Sequence, residues 1–178
     1  SLLQLGRMQY ERGQFDDAIL TLQQLQTKFP ESELQPYAKF WTGVTHSGQE
    51  DFTAAIVMLE QAAKVPADHP LTPAIAFHLG DAQRRSGRAD EAASNFQAVL
   101  DEATNSSWAD DAAHGMLRLA SDADAHDEVI RAGAAFASAH PDSPLNYDAR
   151  RLHGRAQMKL EQYAEAIEAY ADAARAAE

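Results

Sequence analysis

Cysteine is absent from the 178 residues, which excludes a disulfide framework, a thiolate metal site and a cysteine nucleophile. No apolar run approaches the roughly 20 residues that a helix needs to span a bilayer, so direct membrane insertion is not expected. Basic residues are scarce: 15 Lys and Arg stand against 27 Asp and Glu, a formal charge of −12. Phosphate binding rests on Lys and Arg, so this balance argues against nucleic acid as a partner. Strand signals and a glycine-rich phosphate loop are also missing. The seven histidines show no H-E-x-x-H or similar ligand spacing, and no metal or other cofactor is expected. The start, Ser1-Leu2-Leu3-Gln4-Leu5, lacks the basic and long apolar stretches of a signal peptide.

What is present is a period. Gly6, Gly43, Gly80 and Gly154 fall on a 37-residue grid, as do Ala18, Ala55, Ala92 and Ala166. Phe15, Phe52 and Tyr163 share another register, and Ile19, Ile56, Ile130 and Ile167 a fourth. A fixed period of this length means one supersecondary unit stacked on copies of itself. The apolar content of 45% is enough for a continuous core. Repeats are expected at 1–32, 33–69, 70–106, 107–143 and 144–178, forming a single solenoid. The chain begins and ends inside a unit, so a piece of a longer protein is expected.

Each unit reads as two helices joined by a tight turn. In the first, Leu2, Leu5, Met8 and Gln9 recur at helical steps before Gly13, which suits a helix end. The second helix carries Phe15, Ala18, Ile19, Leu22 and Leu25 on one stripe and stops at Phe29-Pro30. The spacing predicts ten helices, over 1–12, 15–28, 33–47, 51–64, 72–86, 89–103, 107–121, 125–139, 144–160 and 163–177. Ser32-x-x-Gln35 and Ser107-x-x-Asp110 have the form of capping boxes. Thr72-Pro73 and Ser143-Pro144 place a capping hydroxyl before proline. The fourth unit breaks the pattern, with Leu117, Val129 and Gly133 where Gly, Ala and an aromatic are expected. Gly115 there suggests a first helix shifted by two residues.

The run Leu5-Gly6, Gly13-x-Phe15-x-x-Ala18, Leu22 and Pro30 resembles the tetratricopeptide repeat, and Gly154, Tyr163, Ala166, Tyr170 and Ala173 repeat the match. The resemblance implies an all-α, right-handed solenoid of about five helix-turn-helix repeats, with 37 residues in place of the usual 34. It also implies a non-enzymatic protein-interaction scaffold that binds a partner segment in a concave groove lined by the first helices. The Pro-x-Ser joints resemble those of bacterial envelope proteins of the Tol-Pal and outer-membrane assembly type. That likeness favours a bacterial periplasm or envelope over the cytoplasm.

Ten of the 15 Lys and Arg residues fall on first helices: Arg7, Arg12, Lys39, Arg84, Arg85, Arg118, Arg150, Arg151, Arg155 and Lys159. Acids concentrate on second helices and turns. The expected partner-binding residues are Arg7, Arg84, Arg85, Arg118, Arg151, Arg155 and Lys159, with the aromatics Tyr10, Tyr37, Phe40 and Phe77. Arginine grips carboxylates in bidentate fashion, so an acidic segment or a free C-terminus is the natural ligand. For any one arginine, pairing with acids of an adjacent unit is the competing role, and for Tyr37 and Phe40 it is the core. Asp122-x-Asp124-x-x-Asp127-Glu128 is better read as a capping turn than as a calcium loop, since it lacks the Gly and the distant Glu of an EF-hand. Asn105-Ser106-Ser107 fits a glycosylation triplet, but a helix cap is the preferred reading. The alternative function is a spacer or self-associating module within a larger protein. The end Ala176-Ala177-Glu178, without a polar capping helix, motivates the possible homo-oligomer.

Overall fold

The computed structural model describes residues 1–103 and 106–175. Among the described residues there are ten helices and no strand: α1 (Leu2–Glu11), α2 (Phe15–Lys28), α3 (Gln35–Gly48), α4 (Phe52–Ala62), α5 (Thr72–Arg85), α6 (Ala89–Glu102), α7 (Ala109–Asp122), α8 (His126–Ala139), α9 (Asn146–Lys159) and α10 (Tyr163–Arg175). The helices α3, α5, α7 and α9 start at residues 35, 72, 109 and 146, and α2, α4, α6, α8 and α10 at 15, 52, 89, 126 and 163. Both series keep the 37-residue period. The chain forms two compact units that divide within α6, one running from Ser1 to Asn95 and the other beginning at Phe96. No helix among the described residues is long and apolar enough to cross a membrane. Asn105 and the 176–178 end lie outside the described residues.

Small residues on one helix and large ones on its partner set the spacing within each pair. A Cβ on Gly6 would stand 2.7 Å from Leu22 Cγ, and one on Gly43 would stand 2.7 Å from Leu59 Cγ. Gly154 meets the Tyr170 ring in the same way, at 3.2 Å. The alanine column, Ala18, Ala55, Ala92 and Ala166, is wholly buried. Leu22 and Leu59 are fully buried too, and each contributes roughly 1.5–3 kcal/mol.

In the fourth pair the residue sizes are exchanged, and Gly133 makes room for His153 of α9, 3.0 Å from an added Cβ. Leu117 takes the Gly column on α7 and is wholly buried with Val129 in one cluster, while Gly133 takes the large-residue column on α8. The predicted two-residue shift of this first helix is not there. Gly115 instead makes room for Phe96 of α6, whose ring carbons would lie 2.7–2.9 Å from an added Cβ. Phe96 fills the column held by Leu22 and Leu59 and reaches into the next repeat.

Two kinds of turn repeat along the chain. Between the helices of a pair, Gly13, Glu50, Gly87, Asp124 and Glu161 adopt left-handed φ angles of 72°, 63°, 82°, 52° and 61°. Each closes a Schellman motif: the following N–H donates to the carbonyl five residues back at 2.8–3.0 Å, for example Gln14 to Gln9 and Arg88 to Gln83. Asp124 thus ends α7, and the expected cap of the following helix does not form: α8 begins after Ala125 with no side-chain cap.

Between pairs, one side chain accepts from the backbone N–H two residues on. The pairs are Ser32 with Leu34 at 3.2 Å, His69 Nδ1 with Leu71 at 3.2 Å, Ser106 with Trp108 at 3.3 Å and Ser143 with Leu145 at 3.2 Å. The predicted capping boxes do not form there. Gln35 donates to the Phe29 carbonyl at 2.7 Å, Asp110 accepts from Ser143 at 2.7 Å, and Thr72 donates to the Pro66 carbonyl at 3.3 Å. Short turns at the joints already use these groups, so the helices begin about three residues past each serine.

Candidate functional site

In the unit beginning at Phe96, the first helices α7 and α9 assemble a cationic cluster around a single carboxylate. Asp148 lies one turn before Arg151 on α9, and its Oδ1 accepts from Arg151 Nε at 3.0 Å and Nη2 at 2.5 Å. Its Oδ2 lies 2.9 Å from His114 Nε2 and 3.5 Å from Arg118 Nη1, both on α7. Burial pushes the Asp148 carboxyl up. The hydrogen bonds and charges of Arg151, and then of His114, outweigh it and hold the group below the ordinary carboxylate range. His114 is buried, with its ring edge-on to Phe136 at 5.9 Å. Arg118 and Arg151 keep much of their guanidinium surface in water, with side chains 46% and 41% exposed.

One turn further along α9, Arg155 and Lys159 are exposed. They border a small cavity of about 20 Å³ with Ser121, Asp124 and His126. Among the described residues neither forms an ion pair. Arg118, Arg151, Arg155 and Lys159 therefore give this face of the unit a local positive excess on a strongly acidic chain. At the joint beneath, Asp111 is raised from the ordinary carboxylate value by burial and then by the neighbouring Asp110.

The expected residues of the unit Ser1–Asn95 are placed differently. Arg7 pairs with Glu11 of its own helix at 2.8 Å and lies over the Trp41 ring at 5.6 Å. Tyr10 packs against Phe15 and Trp41 at 5.8 and 5.6 Å. Tyr37 is half-buried against His69 at 5.7 Å. Phe40, expected on the binding surface, is core: it is 4% exposed and held between Trp41 and His78 at 5.5 and 5.3 Å. It is buried because α3 is flanked by first helices on both sides, α1 and α5. Phe77 is half-buried beside His78. Arg84 pairs with Asp81 at 3.0 Å and is 10% exposed, so its charge is already committed. Arg85 reaches Glu50 at 3.3 Å and lies over the Phe52 ring at 4.4 Å, pinning the repeat to the previous one.

Sequence profiles described as tetratricopeptide repeat match residues 1–32, 42–107 and 150–178, well over half of the chain together. The chain belongs to the tetratricopeptide repeat family. Solved tetratricopeptide structures share its fold across almost the whole length. The nearly identical TPR-like repeats of a candidate kinesin light chain from Podosopora anserina superpose with a TM-score of 0.77 at 18% identity, covering 99% of this chain and 92% of that one. MamA from Desulfovibrio magneticus RS-1 gives 0.78 at 12% identity, over 98% and 92% of the two chains. YrrB, a TPR protein with an unusual peptide-binding site, gives 0.69 at 15% identity, over 98% and 84%. No curated protein sequence matches the chain significantly. Within this tetratricopeptide array, Asp148 and His114 are the site residues that the sequence did not single out. The i, i+3 spacing of Asp148 and Arg151 was the available signal.

Proposed function

We propose that the chain is a non-enzymatic protein-interaction scaffold, and that the α7–α9 face holds an acidic segment or a free C-terminal carboxylate of a partner protein. The family, and the peptide-binding site in the name of the YrrB relative, support the general reading. The cationic face carries the finer one. Arg118 and Arg151 share one carboxylate, whereas Arg155 and Lys159 have none within ion-pair distance among the described residues. Asp148 orients the two guanidiniums and leaves both with exposed donors, a preorganised fork for a second carboxylate.

A fluorescein-labelled decapeptide of Glu, Asp and Leu with a free C-terminus, followed by fluorescence anisotropy, tests the reading. Wild-type chain should bind it, and affinity should fall steeply as salt screens the contacts. Arg151→Glu with Arg155→Glu should weaken binding by about tenfold or more. No binding by the wild type, or equal binding by the reversed variant, refutes the assignment of this face.

A further inference from the structure

Within the unit Ser1–Asn95, the joint between α4 and α5 holds a cavity of about 310 Å³ that opens to solvent. Its walls include Ala63 at the end of α4, Thr72, Ile75, Ala76 and Leu79 along one face of α5, and Asn95 on α6. One repeat earlier, the columns of Ala63, Ala76 and Asn95 hold the longer Gln26, Lys39 and Met58, all half-buried. There Gln26 spans from α2 to α3 and donates to Thr42 at 3.1 Å. At the α4–α5 joint, Leu79 stands in the place of Thr42 and alanine in that of Gln26, so no such span forms.

Later repeats follow the same rule. Where the column of Ala76 carries Arg150, the long side chain crosses to Asp172 at 3.4 Å. Where alanine recurs as Ala113, a second cavity of about 240 Å³ appears, with Leu100, Met116 and Ala132 in the columns of Ala63, Leu79 and Asn95. Alanine at this one place on a first helix therefore accompanies an open joint.

No residue lining the α4–α5 cavity is charged. Thr72 donates to the Pro66 carbonyl at 3.3 Å, and Asn95 Nδ2 donates to Gln83 Oε1 at 2.8 Å and to the Glu91 carbonyl at 3.1 Å. A carbonyl only accepts, which fixes the orientation of the amide. Asn95 Oδ1 is left without a donor among the described residues. Water against such apolar walls has few partners, and an apolar body displaces it favourably. An engineered apolar cavity of about 150 Å³ takes benzene, and this one is about twice as large, which suits two fused rings. A rigid body also loses less freedom on entry than a flexible chain.

We propose that the α4–α5 cavity binds a small, neutral, bicyclic aromatic molecule whose single N–H or O–H donates to Asn95 Oδ1. The α6–α7 cavity has Ala132 in the column of Asn95 and lacks this acceptor. The site shares no residue with the α7–α9 face, so it stands apart from the partner reading.

Indole titrated into the isotope-labelled chain, followed by amide NMR shifts, tests this. Saturable shifts should centre on Ala63, Ala76 and the Asn95 side-chain amide at about 0.1–1 mM indole. N-methylindole, which has no donor, should bind about three- to tenfold more weakly. Asn95→Ala, which matches Ala132, should remove that preference. Ala63→Gln with Ala76→Lys restores the side chains of the first joint and should abolish binding while circular dichroism shows the chain folded. No saturable shift at these residues in the wild type, or undiminished binding by the filled variant, overturns the cavity as a site. Equal affinity of the wild type for both probes, or a preference that survives Asn95→Ala, overturns the role of Asn95.

Discussion

His78 should make the unit Ser1–Asn95 lose stability between neutral and mildly acid pH. Its ring lies on α5 edge-on to Phe40 and Phe77, 5.3 and 5.2 Å away. Burial lowers its pKa to about 4, against a smaller upward pull from Asp81. In the unfolded chain the group takes up its proton near pH 6.5. Below that value the unfolded state binds a proton that the folded state does not, so stability falls as pH falls. The loss accrues at about 1.4 kcal/mol per pH unit and levels off once the folded ring titrates. The full window corresponds to about 3 kcal/mol, and the surface the ring retains brings the expectation between pH 7 and pH 5 to about 2 kcal/mol. Urea unfolding of wild type and His78→Leu, followed by circular dichroism at several pH values, isolates the contribution. The carboxylates are common to both chains, so the difference in pH slope belongs to the histidine. Parallel slopes, together with a His78 imidazole resonance titrating near 6.5, would refute the argument.

Two further outcomes are expected. Glu161 occupies a left-handed position with φ 61°, as Gly13 does with φ 72°, so Glu161→Gly should raise stability by about 0.5–1 kcal/mol and Gly13→Ala should lower it by about 1 kcal/mol in thermal melts. Asp148→Asn should weaken binding of the acidic decapeptide severalfold in the same anisotropy assay, because Arg118 and Arg151 lose the carboxylate that orients them; tighter binding would show that Asp148 competes with the peptide instead.

The helices were legible because their constraints are steric and recur in type. A column of Gly on one helix against columns of Leu and Ala on the other shows at a glance which helix faces which. The five left-handed turns were only partly legible, since Gly13 and Gly87 announce the conformation and Glu50, Asp124 and Glu161 do not. The joints were hidden for a related reason: His69 does the work of serine, so the column Ser32, His69, Ser106 and Ser143 does not look like one. The exchange of Leu117 and Gly133 reads as decay along a column, whereas in the fold Leu117 joins the core and Gly133 makes room for His153. At the site, the gathering of charge on first helices was visible. The hub was not, because His114 and Arg118 reach Asp148 from the neighbouring repeat. Arg84 and Phe40 looked available only because their burial depends on neighbours that no local pattern displays.

The four inter-pair turns have an evolutionary consequence. One side-chain acceptor per joint, backed by one left-handed residue per pair, marks the turns between the helices. Residues elsewhere on the first helices are therefore relieved of addressing duty. They can drift in charge and size without moving the frame, much as text can be rewritten on ruled paper. Recognition can change along such a chain one line at a time, and the ruling need not be redrawn.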